Sequence, residues 1–171
     1  VSEHFVHEAR TNDDIAEVAA LAHEIWNDHF PDIIGQGQVD YMLDRFQSKA
    51  AIRTQIQDDH YEYYLVGEPG DREGYFAIVQ DADSLQLSKL YLRRAARGRG
   101  MGARIVRWLE AESRARGVSR LWLTVNKDNA GSIAFYRSVG FEVESAMVTD
   151  IGRGFVMDDY RMVAIVHPDS T

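Results

Sequence analysis

Between Ser84 and Leu109 the chain carries Lys89, Arg93, Arg94, Arg97, Arg99, Arg104 and Arg107, and not one Asp or Glu. The stretch holds +7 in a chain whose formal charge is −8, which leaves −15 on the remaining residues. A charge run alone is usually a solvated helix face. Here Gly98, Gly100 and Gly102 alternate inside it, along Arg97-Gly98-Arg99-Gly100-Met101-Gly102-Ala103. The apolar spacing of a strand ends just before this segment, and the spacing of a helix begins just after it. Glycine allows positive φ and a close backbone approach to a ligand. The first amides of a helix have no internal partner, and the helix dipole favours an anion there. Strand, glycine loop, helix and arginines in that order suit a diphosphate.

Three kinds of loop use such an arrangement. A Walker loop ends in Gly-Lys-Ser/Thr, whereas Gly102 is followed by Ala103 and Arg104, so that reading fails. A dinucleotide fingerprint is formally matched by Gly98, Gly100 and Ala103. It belongs in a first βα unit and needs an acid at the end of the next strand, where this chain has Thr124, Val125 and Asn126. The third match has the form [RQ]xxGx[GA] after the strand LSKLYL. It is followed at a distance by VNKDNAGSIAFYRSVGFE, with Asn129, Ala134, Phe135, Tyr136, Gly140 and Phe141. The pair, in this order and spacing, resembles the central and following motifs of the Gcn5-related N-acetyltransferase (GNAT) superfamily. The specific motifs cover residues 85–142, and the order of elements agrees over the whole chain.

The resemblance implies an α/β (α+β) fold: a mixed, mostly antiparallel sheet of six to seven strands with about four helices, splayed between the fourth and fifth strands. It implies that acetyl-CoA supplies an acyl group to a primary amine. Leu90, Tyr91 and Leu92 would then pair through their backbone with the pantetheine arm. An amide near there would polarise the thioester carbonyl. The amides of Gly98, Arg99, Gly100, Met101, Gly102 and Ala103 would hold the diphosphate, with Arg97 and Arg99 beside it and Arg93 or Arg94 reaching the nucleotide phosphates. Asn129 would hydrogen-bond the cofactor. Tyr136 matches the tyrosine that faces the departing sulfur. A phenol with a pKa near 10 is protonated at neutral pH and can donate to a thiolate.

An incoming ammonium must lose a proton before it attacks. Several members carry a glutamate for this on the fourth strand, but Ser84–Leu92 has no acid. Glu24, Asp28, Glu68, Asp81 and Asp83 are the candidates, directly or through water, and spacing does not separate them. The resemblance puts the acceptor near the first helices and last strands. Trp26, Phe30 and Tyr41, with His29 and Met42 nearby, and Met157, Asp158, Asp159 and Tyr160 fall there. An acidic, aromatic lining suits a cationic amine, although aromatic residues at helical spacing are more often core.

These residues need elements to position them. A short strand over residues 4–9 precedes Thr11 and Asp14, which read as a capping box. Helical spacing then runs from Ile15 to Trp26, a loop is expected over Pro31–Gln38, and a second helical region, broken near Ser48, reaches Ile56. His60–Gly67 and Glu73–Gln80 read as strands joined by a turn. In Ser84–Leu92 the apolar alternation slips by one after Leu87, as a β-bulge would cause. A helix to Arg116, a strand Leu121–Asn126, a helix Ala130–Val139 and two strands, Phe141–Thr149 and Phe155–Val166, complete the order.

With 171 residues, 45% hydrophobic and 27% charged, the chain is expected to be one domain over 1–171 with its own core. It has no cysteine, which excludes disulfides, iron–sulfur clusters and a cysteine nucleophile and agrees with a cytoplasmic place. No apolar run suits a membrane helix, and no signal sequence is readable at the charged N-terminus. The histidines show no metal spacing, and His4 and His7 would face opposite sides of one strand, so no metal is expected. The expected partner is a small-molecule amine, such as a polyamine or an amino-acid-like amine, with neither nucleic acid nor membrane. The resemblance adds a homodimer through the last strands. Alternatives are a protein or peptide acceptor, and an acyl-CoA-binding module without turnover.

Overall fold

The protein is described by a computed structural model over residues 5–168; His4 lies outside them. The capping box is present: Thr11 Oγ1 accepts from the Asp14 amide, and the Asp14 carboxylate accepts from the Thr11 amide, both at 3.1 Å. It opens α1 (Asn12–His29), which buries Ile15, Val18, Leu21, Ala22, Ile25 and Trp26 along one stripe. The expected loop over Pro31–Gln38 is instead mostly helical, with α2 (Pro31–Ile34) and α3 (Gln36–Phe46) parted by Gly35 at φ 84°. Proline at the first helical position has its φ preset and lacks only an amide that would be unpaired there, so Pro31 starts a turn of helix as well as ending α1. Ser48 caps α4 (Lys49–Asp58), its Oγ accepting from the Ala51 amide at 3.2 Å.

The strands are β1 (Val6–Glu8), β2 (Glu62–Glu68), β3 (Asp71–Gln80), β4 (Ser84–Leu92), β5 (Arg120–Asn126), β6 (Glu142–Gly152) and β7 (Phe155–Ile165). They form one mixed, mostly antiparallel sheet in the order β1-β2-β3-β4-β5-β7-β6. The helices after β4 are α5 (Met101–Arg116) and α6 (Ala130–Ser138). Among the described residues there are six helices where about four were expected, because Pro31, Gly35 and Ser48 cut the front helical region into short pieces.

The chain forms two compact units. One runs through Val79 and takes up Ser88–Met101. Its core includes Val18, Ile25, Ile52, Leu65, Tyr75 and Phe76, all buried. The other holds Gln80–Leu87 and the chain from Gly102 onward, with Ile105, Leu109, Leu121, Leu123, Phe141 and Met162 buried. Within the second unit β4 and β5 run parallel, Ser84–Gln86 in register with Arg120–Trp122, and each strand continues beyond that paired stretch. β5 pairs antiparallel with β7, and β7 with β6. The β6–β7 connection is tighter than the expected Asp150–Gly154 turn. Only Arg153 (φ 53°) and Gly154 (φ 78°) separate the paired Gly152 and Phe155. Two left-handed residues in succession match the twist of a two-residue hairpin. Among the described residues no helix is long and apolar enough to cross a membrane.

Candidate active site

β4 alternates without a break through its first six residues, with Leu85, Leu87 and Lys89 buried. The apolar slip seen in the sequence is therefore a lysine on the inward face. Lys89 Nζ donates to the Phe46 carbonyl and to Gln55 Oε1, both at 2.9 Å, and to the Tyr63 hydroxyl. Burial pushes its pKa down to about 7. Tyr63 in turn donates to Gln55 Oε1 at 2.5 Å, and Tyr75 to Gln47 Oε1 at 2.9 Å. These contacts fix the α3–α4 junction to the strand that carries Leu90, Tyr91 and Leu92. In the sequence Lys89 reads as one charge of the basic stretch, yet its strand position carried a further signal: a charged residue at an inward strand position needs partners.

Leu90, Tyr91 and Leu92 are half-buried at the end of β4. The Tyr91 ring meets Trp26 at 5.2 Å, Phe30 at 5.9 Å and Tyr75 at 5.6 Å between centroids. Trp26 and Phe30 lie 4.3 Å apart and are buried. Two of the three expected acceptor residues thus join the predicted pantetheine strand in one aromatic cluster. Tyr41 is half-buried on α3.

After Leu92 the chain makes a 3₁₀ turn over Arg94–Ala96. Arg97 Nε donates back to the Leu92 carbonyl at 3.1 Å, which closes the base of the loop. Gly98 (φ 72°) and Gly100 (φ 80°) are left-handed, and the helix begins at Met101. Both conformations are strained for residues with a side chain. Gly98, Arg99 and Gly100 are exposed, and the first turn of α5 has no acid. Gly102 does something else: a Cβ there would come within 2.7 Å of the Phe135 ring, so it sets how closely α5 and α6 approach.

Arg93 and Arg94 are committed elsewhere. Arg93 forms a bidentate pair with Glu24 at 2.6 and 2.7 Å, and Arg94 pairs with Asp28 at 2.9 Å. The Arg93 hydrogen bond holds the Glu24 carboxyl below its usual range, which makes Glu24 a poor base. Asp81 accepts from the Ala82 amide at 2.8 Å, and Glu68, Asp81 and Asp83 are exposed.

In the second unit Asn129 caps α6, its Oδ1 accepting from the Ser132 amide at 3.4 Å, and it is buried. Tyr136 is buried on α6, with Phe135 and Phe141 at 5.2 and 5.7 Å. Burial raises its phenol well above the ordinary value, so the hydroxyl stays protonated through neutral pH. On β7 a second group stands out. Asp159 is 5% exposed, and burial, helped by the neighbouring Asp158, pushes it up to about 6 against the opposing pull of Lys127.

The signature of the acetyltransferase (GNAT) family matches residues 19–141, more than half of the chain. The chain belongs to the GNAT family. It is 26% identical over 151 residues, 88% of this chain and 96% of the relative, to an uncharacterised N-acetyltransferase of Mycobacterium tuberculosis. It is 39% identical over 72 residues (42% and 49%) to the [ribosomal protein bS18]-alanine N-acetyltransferase of Salmonella typhimurium. It is 33% identical over 85 residues (48% and 45%) to the streptothricin acetyltransferase of Streptomyces lavendulae. Among solved structures it is similar to the PaiA N-acetyltransferase of Thermoplasma acidophilum in complex with coenzyme A, with TM-score 0.78, 18% identity and coverage of 94% and 98%. That last likeness concerns the fold. The family match ends at Phe141, so Asp159 lies in a part of this GNAT chain that it does not cover.

Proposed function

We propose that this chain is a single-domain, cytoplasmic N-acetyltransferase that moves acetyl from acetyl-CoA to a primary amine of a small molecule. The observation that carries the cosubstrate is the loop ahead of α5: Gly98 and Gly100 in left-handed conformation, a helix starting at Met101, and no acid from Ser84 to Leu109. Acetyl-CoA supplies an acyl group already activated as a thioester. The amides of Gly98–Ala103 bind its diphosphate, with Arg97 and Arg99 alongside. The backbone of Leu90–Leu92 orients the arm, and Asn129 contributes a polar contact at the start of α6. Tyr136 holds a proton for the departing sulfur. Burial keeps the phenol protonated, so it can donate to the sulfur as the bond breaks.

The acceptor reading rests on the aromatic cluster of Trp26, Phe30 and Tyr91, on the acidic pair Asp158–Asp159 and on the likeness to a streptothricin enzyme. The likeness to an alanine N-acetyltransferase of a ribosomal protein favours a second reading, a peptide N-terminus. The homodimer is proposed on the eleven-residue edge strand β6.

Calorimetry with acetyl-CoA tests the loop, and turnover tests the chemistry. Thiol release is followed with spermidine, streptothricin, L-methionine and an alanine-headed hexapeptide, and products are weighed by mass. Binding with turnover of a small amine is expected. Preference for the hexapeptide transfers the acceptor to the second reading. Tyr136→Phe should keep acetyl-CoA affinity and lose about 10²-fold or more in turnover. Unchanged turnover removes Tyr136 from the mechanism, and retained binding with no turnover by the unaltered protein leaves a binding module.

A further inference from the structure

We propose that the carboxylate of Asp159 is the base that takes the proton from the acceptor ammonium, an inference that rests on the acetyltransferase reading above. Asp159 faces Asn126, the last residue of β5, on one side and Met147 of β6 on the other. The turn into α6 is tied to the same place on β7, because the Lys127 amide donates to the Asp158 carbonyl at 3.0 Å. The Asn129 amide then donates to the Asn126 carbonyl at 3.0 Å. The backbone of Asp159 is therefore tied, through its pairing with Asn126 and the Lys127–Asp158 bond, to the turn that leads into α6 with Asn129 and, two helical turns on, Tyr136.

The charges around it leave it unneutralised. Lys127, the nearest cation on the turn, is taken by Asp158 at 2.7 Å. Arg161, two residues along β7 on the same face, pairs with Glu144 of β6 at 3.1 Å and lies 4.0 Å over the Trp122 ring of β5. Glu144 also pairs with Arg120. No ion pair or side-chain hydrogen bond holds Asp159 among the described residues, although it is buried. An anionic carboxyl with little water and no partner attracts an ammonium and accepts its proton readily. Its pKa, pushed up to about 6, lies closer to the working pH of a neutral cytoplasm than that of an ordinary aspartate. Glu24 and Asp28, by contrast, are each paired with an arginine.

The step balances as follows. The Asp159 carboxylate removes one proton from the ammonium. The freed nitrogen lone pair forms the N–C bond to the acetyl carbon, and the C–S bond breaks with its electrons going to sulfur. Tyr136 protonates the sulfur. The nitrogen sheds its next proton to water, and water restores the phenol. Asp159 releases its proton to solvent, so one proton is set free per turnover.

The test uses the full chain, acetyl-CoA and the member of the four-amine panel that the unaltered protein turns over fastest. Its kcat/KM should fall on the acid side with an apparent pKa near 6. Asp159→Asn should lose about 10²-fold or more in kcat, lose that acid limb and bind acetyl-CoA as before. Asp159→Glu should recover part of the rate. Activity of Asp159→Asn within threefold of the unaltered protein, with the limb intact, overturns the proposal. Should Asp159→Asn fail to fold, the unaltered protein decides: a profile flat from pH 5 to 7.5 overturns the role, and a limb that moves in Asp159→Glu supports it. If the unaltered protein turns over nothing in the panel, the transferase reading itself falls. That result is distinct from an active enzyme indifferent to Asp159.

Discussion

Lys89 and Asp159 are both buried titratable side chains on strands, and burial acts on them in opposite senses. It disfavours the charged form of each, so the lysine is pushed down to about 7 and the aspartate up to about 6. The difference lies in their partners. Lys89 is surrounded by three acceptors from α3, α4 and β2, which suits a structural pin. Asp159 has none of this and suits chemistry. The pin has a measurable signature. Between pH 7 and the ordinary lysine value of 10.5 the unfolded chain binds a proton that the folded chain has released. Stability therefore rises with pH in that window, by at most about 1.4 kcal/mol per unit. Tyr63, Tyr75 and Tyr136 keep their protons longer when folded, so they remove stability only above about pH 10. Urea titrations from pH 7.5 to 9.5 should show the rise in the unaltered protein and its absence in Lys89→Met. Equal slopes in the two proteins would contradict a lysine titrating near 7.

The elements explain why some positions are glycine. Gly74 on β3 has no room for a side chain: a Cβ would come within 2.2 Å of the Tyr91 carbonyl oxygen and 2.9 Å of the Leu92 Cα. Both obstacles are backbone and cannot swing away. Gly74→Ala must push β3 and β4 apart at the residues proposed to pair with pantetheine. A loss of about 1–3 kcal/mol is expected from the overpacking, together with a raised acetyl-CoA Kd by calorimetry. An unaffected Kd would separate the strand end from cofactor binding. Most of these elements were legible because local chemistry fixes them: the Thr11–Asp14 box, the glycine loop, the cap at Asn129. The loop expected over Pro31–Gln38 failed because proline and glycine punctuate helices as well as end them. The slip in β4 holds an inward lysine, which looks like a register change when its partners, from α3, α4 and β2, are far away in sequence. Asp159 was visible only as one of two adjacent acids on the last strand. Burial, which singles it out, comes from pairing β7 with β5 and β6, and no local pattern encodes that.

For the molecule as a whole, the open question of assembly turns on β6. Its residues Glu142–Asp150 are all exposed, and it ends the strand order, so one edge has no neighbouring strand among the described residues. An edge of this length offers unpaired amides and carbonyls to another strand. Val143, Met147 and Val148 are exposed along it, with Val148 at 66%. The acids Glu142, Glu144 and Asp150 interrupt the apolar run, and such charges are a usual guard against open-ended association. Those two features together favour one closed pairing over a growing stack. A two-fold interface satisfies that requirement, since the same patch meets itself and no edge is left over. Sedimentation equilibrium at micromolar concentrations should then find a species of twice the 19.4 kDa chain mass. Val148→Lys would place two ammonium groups in the paired patch and should shift the equilibrium to monomer, with acetyl-CoA affinity unchanged. A monomer at about 100 μM in the unaltered protein, or a dimer indifferent to Val148→Lys, would mean that the charged residues guard the edge against every partner.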